Sequence, residues 1–148
     1  MSGTSNSFTG EFRHTIDAKG RLIVPSRMRE ALDGDRVVLT RWMDDCIAVW
    51  SEAGWREVET SLREQGRSNR NARALVRLIA ASAHPDDVDR QGRITVPQHL
   101  REYAGITKDA VVIGALDHGE IWSPERWAAE QEHVEEGRLD QLAEGLTF

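Results

Sequence analysis

The stretch DAKGRLIVPSRMRE at residues 17–30 returns, 72 residues later, as DRQGRITVPQHLRE at residues 89–102. Seven of the fourteen positions are identical: Asp17/Asp89, Gly20/Gly92, Arg21/Arg93, Val24/Val96, Pro25/Pro97, Arg29/Arg101 and Glu30/Glu102. The same offset pairs Trp50-Ser51 with Trp122-Ser123, and Trp55 with Trp127. A fixed-offset repeat of this kind means one supersecondary unit used twice. A chain of 148 residues holds one compact unit or two very small ones. Halves of about seventy residues are marginal alone, and with no linker rich in proline or glycine between the copies the two are expected to share a core.

Each copy shows the same plan. A strand-like run (GEFRHTI, and the weaker HPDDV) enters a charged turn, and a second strand (RLIVP, RITVP) leaves it. Glycine ahead of the arginine suits a tight hairpin that needs positive φ. A short helix follows each turn, with Ser26 the expected N-cap of the first and Gly105 the expected stop of the second. Two more strands complete each copy: RVVLTRW and CIAVWS, then AVVIGAL and GEIWS. The boundaries are an extension over 1–10, a first repeat over 11–53, a helical connector over 54–82, a second repeat over 83–126, and an acidic helix over 127–148. Within the connector, residues 71–83 place Leu75, Leu78, Ile79 and Ala83 on one side of a helix. Ser123-Pro124-Glu125 is a strong helix start. From there Trp127, Gln131, Val134, Arg138, Leu142 and Leu146 recur at helical spacing along one face.

Charge and cysteine content narrow the function classes. The net charge is −6, which by itself argues against a nucleic-acid partner. Yet residues 124–148 carry seven acids and two bases, a net of −5, leaving about −1 for everything before them. Residues 63–77 carry five arginines against one glutamate. That run reads as a solvated face as readily as a second cationic patch. The single cysteine, Cys46, forms no internal disulfide, and a reducing cytoplasm is the simplest setting. No segment approaches the roughly twenty apolar residues of a membrane span. The opening MSGTSNS has neither a basic region nor an apolar run, and is expected to be a disordered lead-in, not a secretion signal.

The turns are the candidate site. Asp17 and Asp89, with Gly20 and Gly92, are turn-forming residues whose carboxylates accept turn amides or pair with Arg21 and Arg93. The basic residues have a second reading. Arginine at a projecting tip grips phosphate or forks onto a guanine edge. Arg21 and Lys19 are the candidates on the first tip, with Arg13 and His14 on its incoming strand. Arg93, Arg90 and Gln91 form the second set, Gln91 being able to read a base edge. Enzyme readings are thin. The five histidines show no metal-ligand spacing, and no phosphate-binding glycine loop is present. Cys46 follows two aspartates, which oppose a thiolate. Neither metal nor cofactor is expected. The tryptophans recur at matching repeat positions, which favours packing over base stacking.

GEFRHTIDAKGRLIVP, with the later DRQGRITVP, RWMDDC, IWS and RW, closely resembles the MraZ family, whose members carry two SpoVT/AbrB-like repeats, each with a DxxxR motif. The resemblance runs over about residues 8–146. It implies an α+β fold: a pseudo-two-fold swapped-hairpin β-barrel from two tandem repeats, with flanking helices. It further implies a ring-shaped homo-oligomer, cytoplasmic and nucleoid-associated. That oligomer would bind double-stranded DNA sequence-specifically at repeated promoter boxes, upstream of its own gene and a division and cell-wall gene cluster, as an autorepressor. The family's DNA-contacting arginine maps onto Arg21, with Lys19 beside it, and the second motif maps onto Arg93. Two departures stand out: about six extra residues precede Phe8, and Gln91 replaces the lysine of the first tip. The rival reading is an antitoxin-like protein-interaction module that uses the acidic C-terminal helix.

Overall fold

The computed structural model describes residues 7–147, so all but Ser7 of the lead-in expected over MSGTSNS lies outside the described residues. The first repeat runs β1 (Glu11–Thr15), β2 (Arg21–Ile23), α1 (Ser26–Leu32), β3 (Arg36–Arg41), β4 (Ile47–Ser51) and α2 (Glu52–Gln65). After α3 (Arg70–Ser82) the order recurs: β5 (His84–Asp87), β6 (Arg93–Thr95), α4 (Gln98–Ala104), β7 (Asp109–Gly114), β8 (Gly119–Trp122) and α5 (Pro124–Gly137). A short α6 (Leu139–Leu142) follows.

The repeats exchange their first strands. The six-stranded sheet has the order β1-β7-β8-β4-β3-β5, so β1 pairs with β7 of the second repeat and β5 with β3 of the first. The three-residue strands β2 and β6 pair only with each other, antiparallel, with Leu22 opposite Ile94. The fold is therefore α+β with antiparallel sheets, but the expected barrel is not closed. Strands β1 and β5 end the large sheet as edges, and β2 and β6 are too short to carry its ladder onward. Nor do β1 and β2 form the paired hairpin that the sequence predicts. Two backbone bonds close that turn, from the Asp17 N–H to the Arg21 carbonyl at 3.0 Å and from the Gly20 N–H to the Asp17 carbonyl at 2.9 Å.

The core follows strand period two. Val37, Leu39, Val49, Val112 and Ile121 face Leu22, Val24, Ile94, Val96, Met28 and Leu100 from the ribbon and its two helices. The opposite sheet face buries Val38, Ala48 and Trp50 against Trp42, Trp55 and Val58, and buries Val111 and Trp122 against Trp127. Being covered on both faces explains why β3 and β4 read as continuous apolar runs. Thr40 is fully buried, and its hydroxyl accepts the Trp50 indole N–H at 3.1 Å.

Helix ends follow local rules with two exceptions. Ser51 and Ser123 accept the N–H groups of Gly54 and Arg126, and Gly105 ends α4 at φ 69°. Ser26 does not cap α1. The cap is Pro25, whose carbonyl takes the N–H groups of Met28 and Arg29, and Ser26 is already helical. The expected single C-terminal helix is broken: Arg138 sits at φ 55° between α5 and α6. We expect Leu22→Ala to cost about 3 kcal/mol, since Leu22 is buried at the ribbon's centre. Adding Ile94→Ala should cost less than the sum, because the two side chains oppose each other, and urea unfolding measures both.

Candidate nucleic-acid interface

The two charged turns are built alike. In the first, Asp17 Oδ1 accepts the N–H groups of Lys19 and Arg21 at 3.0 and 2.9 Å, and Oδ2 accepts Arg21 Nε at 2.8 Å. In the second, Asp89 Oδ1 accepts the N–H groups of Gln91 and Arg93 at 2.9 and 2.8 Å, and Oδ2 accepts Arg93 Nε at 2.9 Å. Gly20 and Gly92 take φ of 82° and 79°, which a side chain would strain. Both carboxyls are held below the ordinary value of 3.8. The largest cause is the N–H of the arginine four residues on; desolvation opposes it, and the arginine side chain and the Lys19 or Gln91 N–H add to it.

Each turn is completed by the other repeat. The Val96 N–H donates to the Gly20 carbonyl, and the Val24 N–H to the Gly92 carbonyl, both at 2.8 Å. The α4 arginine Arg101 donates through Nε to the Val96 carbonyl, and its guanidinium lies where a Cβ on Gly20 would meet it at 3.3 Å. Arg29 of α1 covers Gly92 in the same way, 2.8 Å from where a Cβ would stand. Sequence reasoning gave Arg29 and Arg101 no role. Their signal was there in the repeat: Arg29-Glu30 and Arg101-Glu102 are identical between copies, while the three helix positions before them differ.

The ribbon sorts these cations by face. Leu22 and Ile94 point inward, so Arg21, Ile23, Arg93 and Thr95 lie outward. Arg21 stands opposite Thr95 and Arg93 opposite Ile23, which makes the two arginines diagonal neighbours about 7–8 Å apart. Each side chain is partly exposed, 33% for Arg21 and 25% for Arg93. Lys19, Arg90 and Gln91 are exposed at the tips. Arg13 and His14 belong to a different strand. They lie on edge strand β1, where Arg13 pairs with Glu11 at 3.5 Å, and among the described residues neither bonds to the turn.

Other reactive groups are spent on packing. Burial pushes the Cys46 thiol strongly up, and the charges of Glu120 and Asp44 add to that, so it is no nucleophile. Burial would also raise Glu120, but His118 at 2.8 Å and the Trp122 indole hold it below its ordinary value. Among the described residues, no cluster of three or more His, Cys, Asp or Glu is placed to hold a metal. Among them, too, no helix is long and apolar enough to cross a membrane.

Such a molecule is a tandem-repeat α+β protein presenting twin Asp-braced arginines on one ribbon. The chain matches the family model of the MraZ protein, antitoxin-like by its description, twice, at residues 7–78 and 79–148. It is 45% identical over 139 residues to a protein of Ligilactobacillus salivarius, covering 94% of this chain and 96% of that one. It is 47% identical over 140 residues to one of Symbiobacterium thermophilum, covering 94% and 99%. A relative in Moorella thermoacetica is 48% identical over 120 residues, covering 81% and 83%. All three are named transcriptional regulator MraZ. The chain belongs to the MraZ family.

Because both carboxyls are held below their ordinary value of 3.8, their turn bonds are complete well above it and fail as acid carries the pH down through the lowered value. In an acid NMR titration the Arg21 and Arg93 amides are expected to shift together, with midpoints below 3.8. A midpoint at or above 3.8 contradicts the bracing.

Proposed function

We propose that this protein is a DNA-binding transcriptional regulator that reads repeated promoter boxes upstream of its own gene and of a division and cell-wall gene cluster, as an autorepressor. It works in the cytoplasm, on the nucleoid, as a ring-shaped homo-oligomer whose unit is the pair of interleaved repeats. The observation that carries this reading is the pair of outward arginines on one ribbon, each tied through Nε alone. The Nε bond fixes the plane of the guanidinium. Among the described residues the Nη groups of Arg21 have no partner, and two parallel N–H groups suit a phosphate or the O6/N7 edge of guanine. Lys19, with no such brace, suits phosphate; Gln91, in its place on the second turn, suits a base edge.

Self-assembly reconciles this role with a net charge of −6. One copy offers few cations, and a single encounter is weak. Several copies on one scaffold engage repeated boxes at high effective concentration. The family membership and the relatives' names support the regulatory reading. The rival, an antitoxin-like interaction module, draws on the exposed leucines of the acidic tail, Leu139, Leu142 and Leu146.

Arg21→Ala is expected to abolish binding to the upstream DNA while leaving the assembled mass unchanged and lowering Tm only slightly, since the lost brace is a partly exposed pair but a lost bidentate contact costs about 1–3 kcal/mol in every engaged copy. Fluorescence anisotropy at two salt concentrations measures it. Wild-type affinity should fall steeply with salt, by a log–log slope of about −0.9 per phosphate contact. Unchanged affinity in Arg21→Ala defeats the assignment.

A further inference from the structure

We propose that the segment after Arg138 is the assembly arm. α6 and the leucines around it, from one copy, dock along α3 of the next, with the arm's carboxylates against Arg41 and Arg77. This rests on the self-assembling reading above; its own content is which two surfaces meet.

The arm is unfinished by itself. Leu139, Leu142 and Leu146 are 82%, 42% and 64% exposed. A helix of four residues has no stability of its own in water and needs a surface to form on. The left-handed Arg138 turns it away from the line of α5. Asp140 and Glu144 accompany the leucines, and the one ion pair of the arm among the described residues, Arg138 to Asp140 at 3.5 Å, is about three-quarters exposed and holds little.

The complementary surface is α3. Its sequence carries Arg70, Arg73 and Arg77 and no carboxylate, and among the described residues none of the three has an ion pair. Leu75 and Leu78 stand 40% and 44% exposed along its outer ridge. A groove of about 420 Å³ runs on one side, lined by Arg41, Arg77, Leu78 and His99 with no acid among its walls. Another of about 450 Å³ runs on the other side, where Trp42, Met43, Leu62, Leu75 and Ile79 make an apolar floor. Apolar-acidic meets apolar-basic. The arm's carboxylates favour the first groove, because Glu57 and Asp117 rim the second.

The contact is between copies. Within one chain α5 packs on β7 and α3 on β3, three strand spacings apart in the sheet order, or about 14 Å. The arm's leucines are correspondingly bare. Arm and groove are different surfaces, so their contact is heterologous, and head-to-tail contacts of this type close into rings or run on as filaments. α2 and α3 lie on the sheet face opposite the β2–β6 ribbon, which leaves the turns clear.

Two exposed-site variants test it: Leu142→Glu with Leu146→Glu in the arm, and Leu75→Glu with Leu78→Glu on α3. Circular dichroism should show native folding in both. In sedimentation, wild type is expected as a multiple of the chain mass and each variant alone as a single copy. Mixed in equal amounts, the two variants should give a dimer and nothing larger, since only one intact arm and one intact groove remain. A variant that keeps wild-type mass, or a mixture that stays single, overturns the proposal and leaves the self-assembling reading standing. Variants that keep their mass but lose a co-purifying foreign protein overturn it likewise. Wild type sedimenting as one copy removes the self-assembling reading itself.

Discussion

The structure depends on two reciprocal hydrogen bonds, Val96 N–H to the Gly20 carbonyl and Val24 N–H to the Gly92 carbonyl. Each runs from the strand of one repeat to the turn glycine of the other. They fix the register in which β2 meets β6, and with it the burial of Leu22 and Ile94 under the ribbon and the outward placement of Arg21 and Arg93. Each repeat hands its first strand to the other's sheet as well. Neither repeat is whole by itself, so selection on the turn of one copy acts through the backbone of the other.

That dependence explains the residue types that the repeat preserves. Aspartate brings two oxygens to three N–H groups, two of backbone and one of guanidinium. Arginine is required, since Nε can be spent on the brace while the Nη edge stays outside; a lysine has one nitrogen and cannot do both. Glycine is required because φ is near 80° and because an arginine from the other repeat lies over it. Valine and proline carry the chain from the ribbon into the helix whose arginine makes that cover. Six of the seven identities thus serve one contact set used twice.

Local features were legible in the sequence and partnerships were not. The cap at Ser123, the stop at Gly105 and the helix ending near Ser82 all depend on neighbours within four residues. Ser26 misled because the helix begins one residue earlier than a serine cap requires, with Pro25 at the cap and Ser26 already in the first turn. The break at Arg138 was invisible because the apolar spacing continues across it. Strand pairing was out of reach for another reason. An Asp-Gly-Arg turn between two strand-like runs looks like a hairpin, but β1 finds its partner in β7, nearly a hundred residues away. Arg29 and Arg101 lacked a role for the same cause: the groups they cover belong to the other repeat.

Native-state amide hydrogen exchange on wild type and Asp17→Ala tests the interlock most directly. Loosening the first turn should speed exchange at Val96, in the second repeat, because its acceptor is the Gly20 carbonyl. Protection within β4, deep in the large sheet, should stay as it was. Acceleration confined to residues 17–24, with Val96 unchanged, would contradict the claim that each turn is held by the opposite repeat.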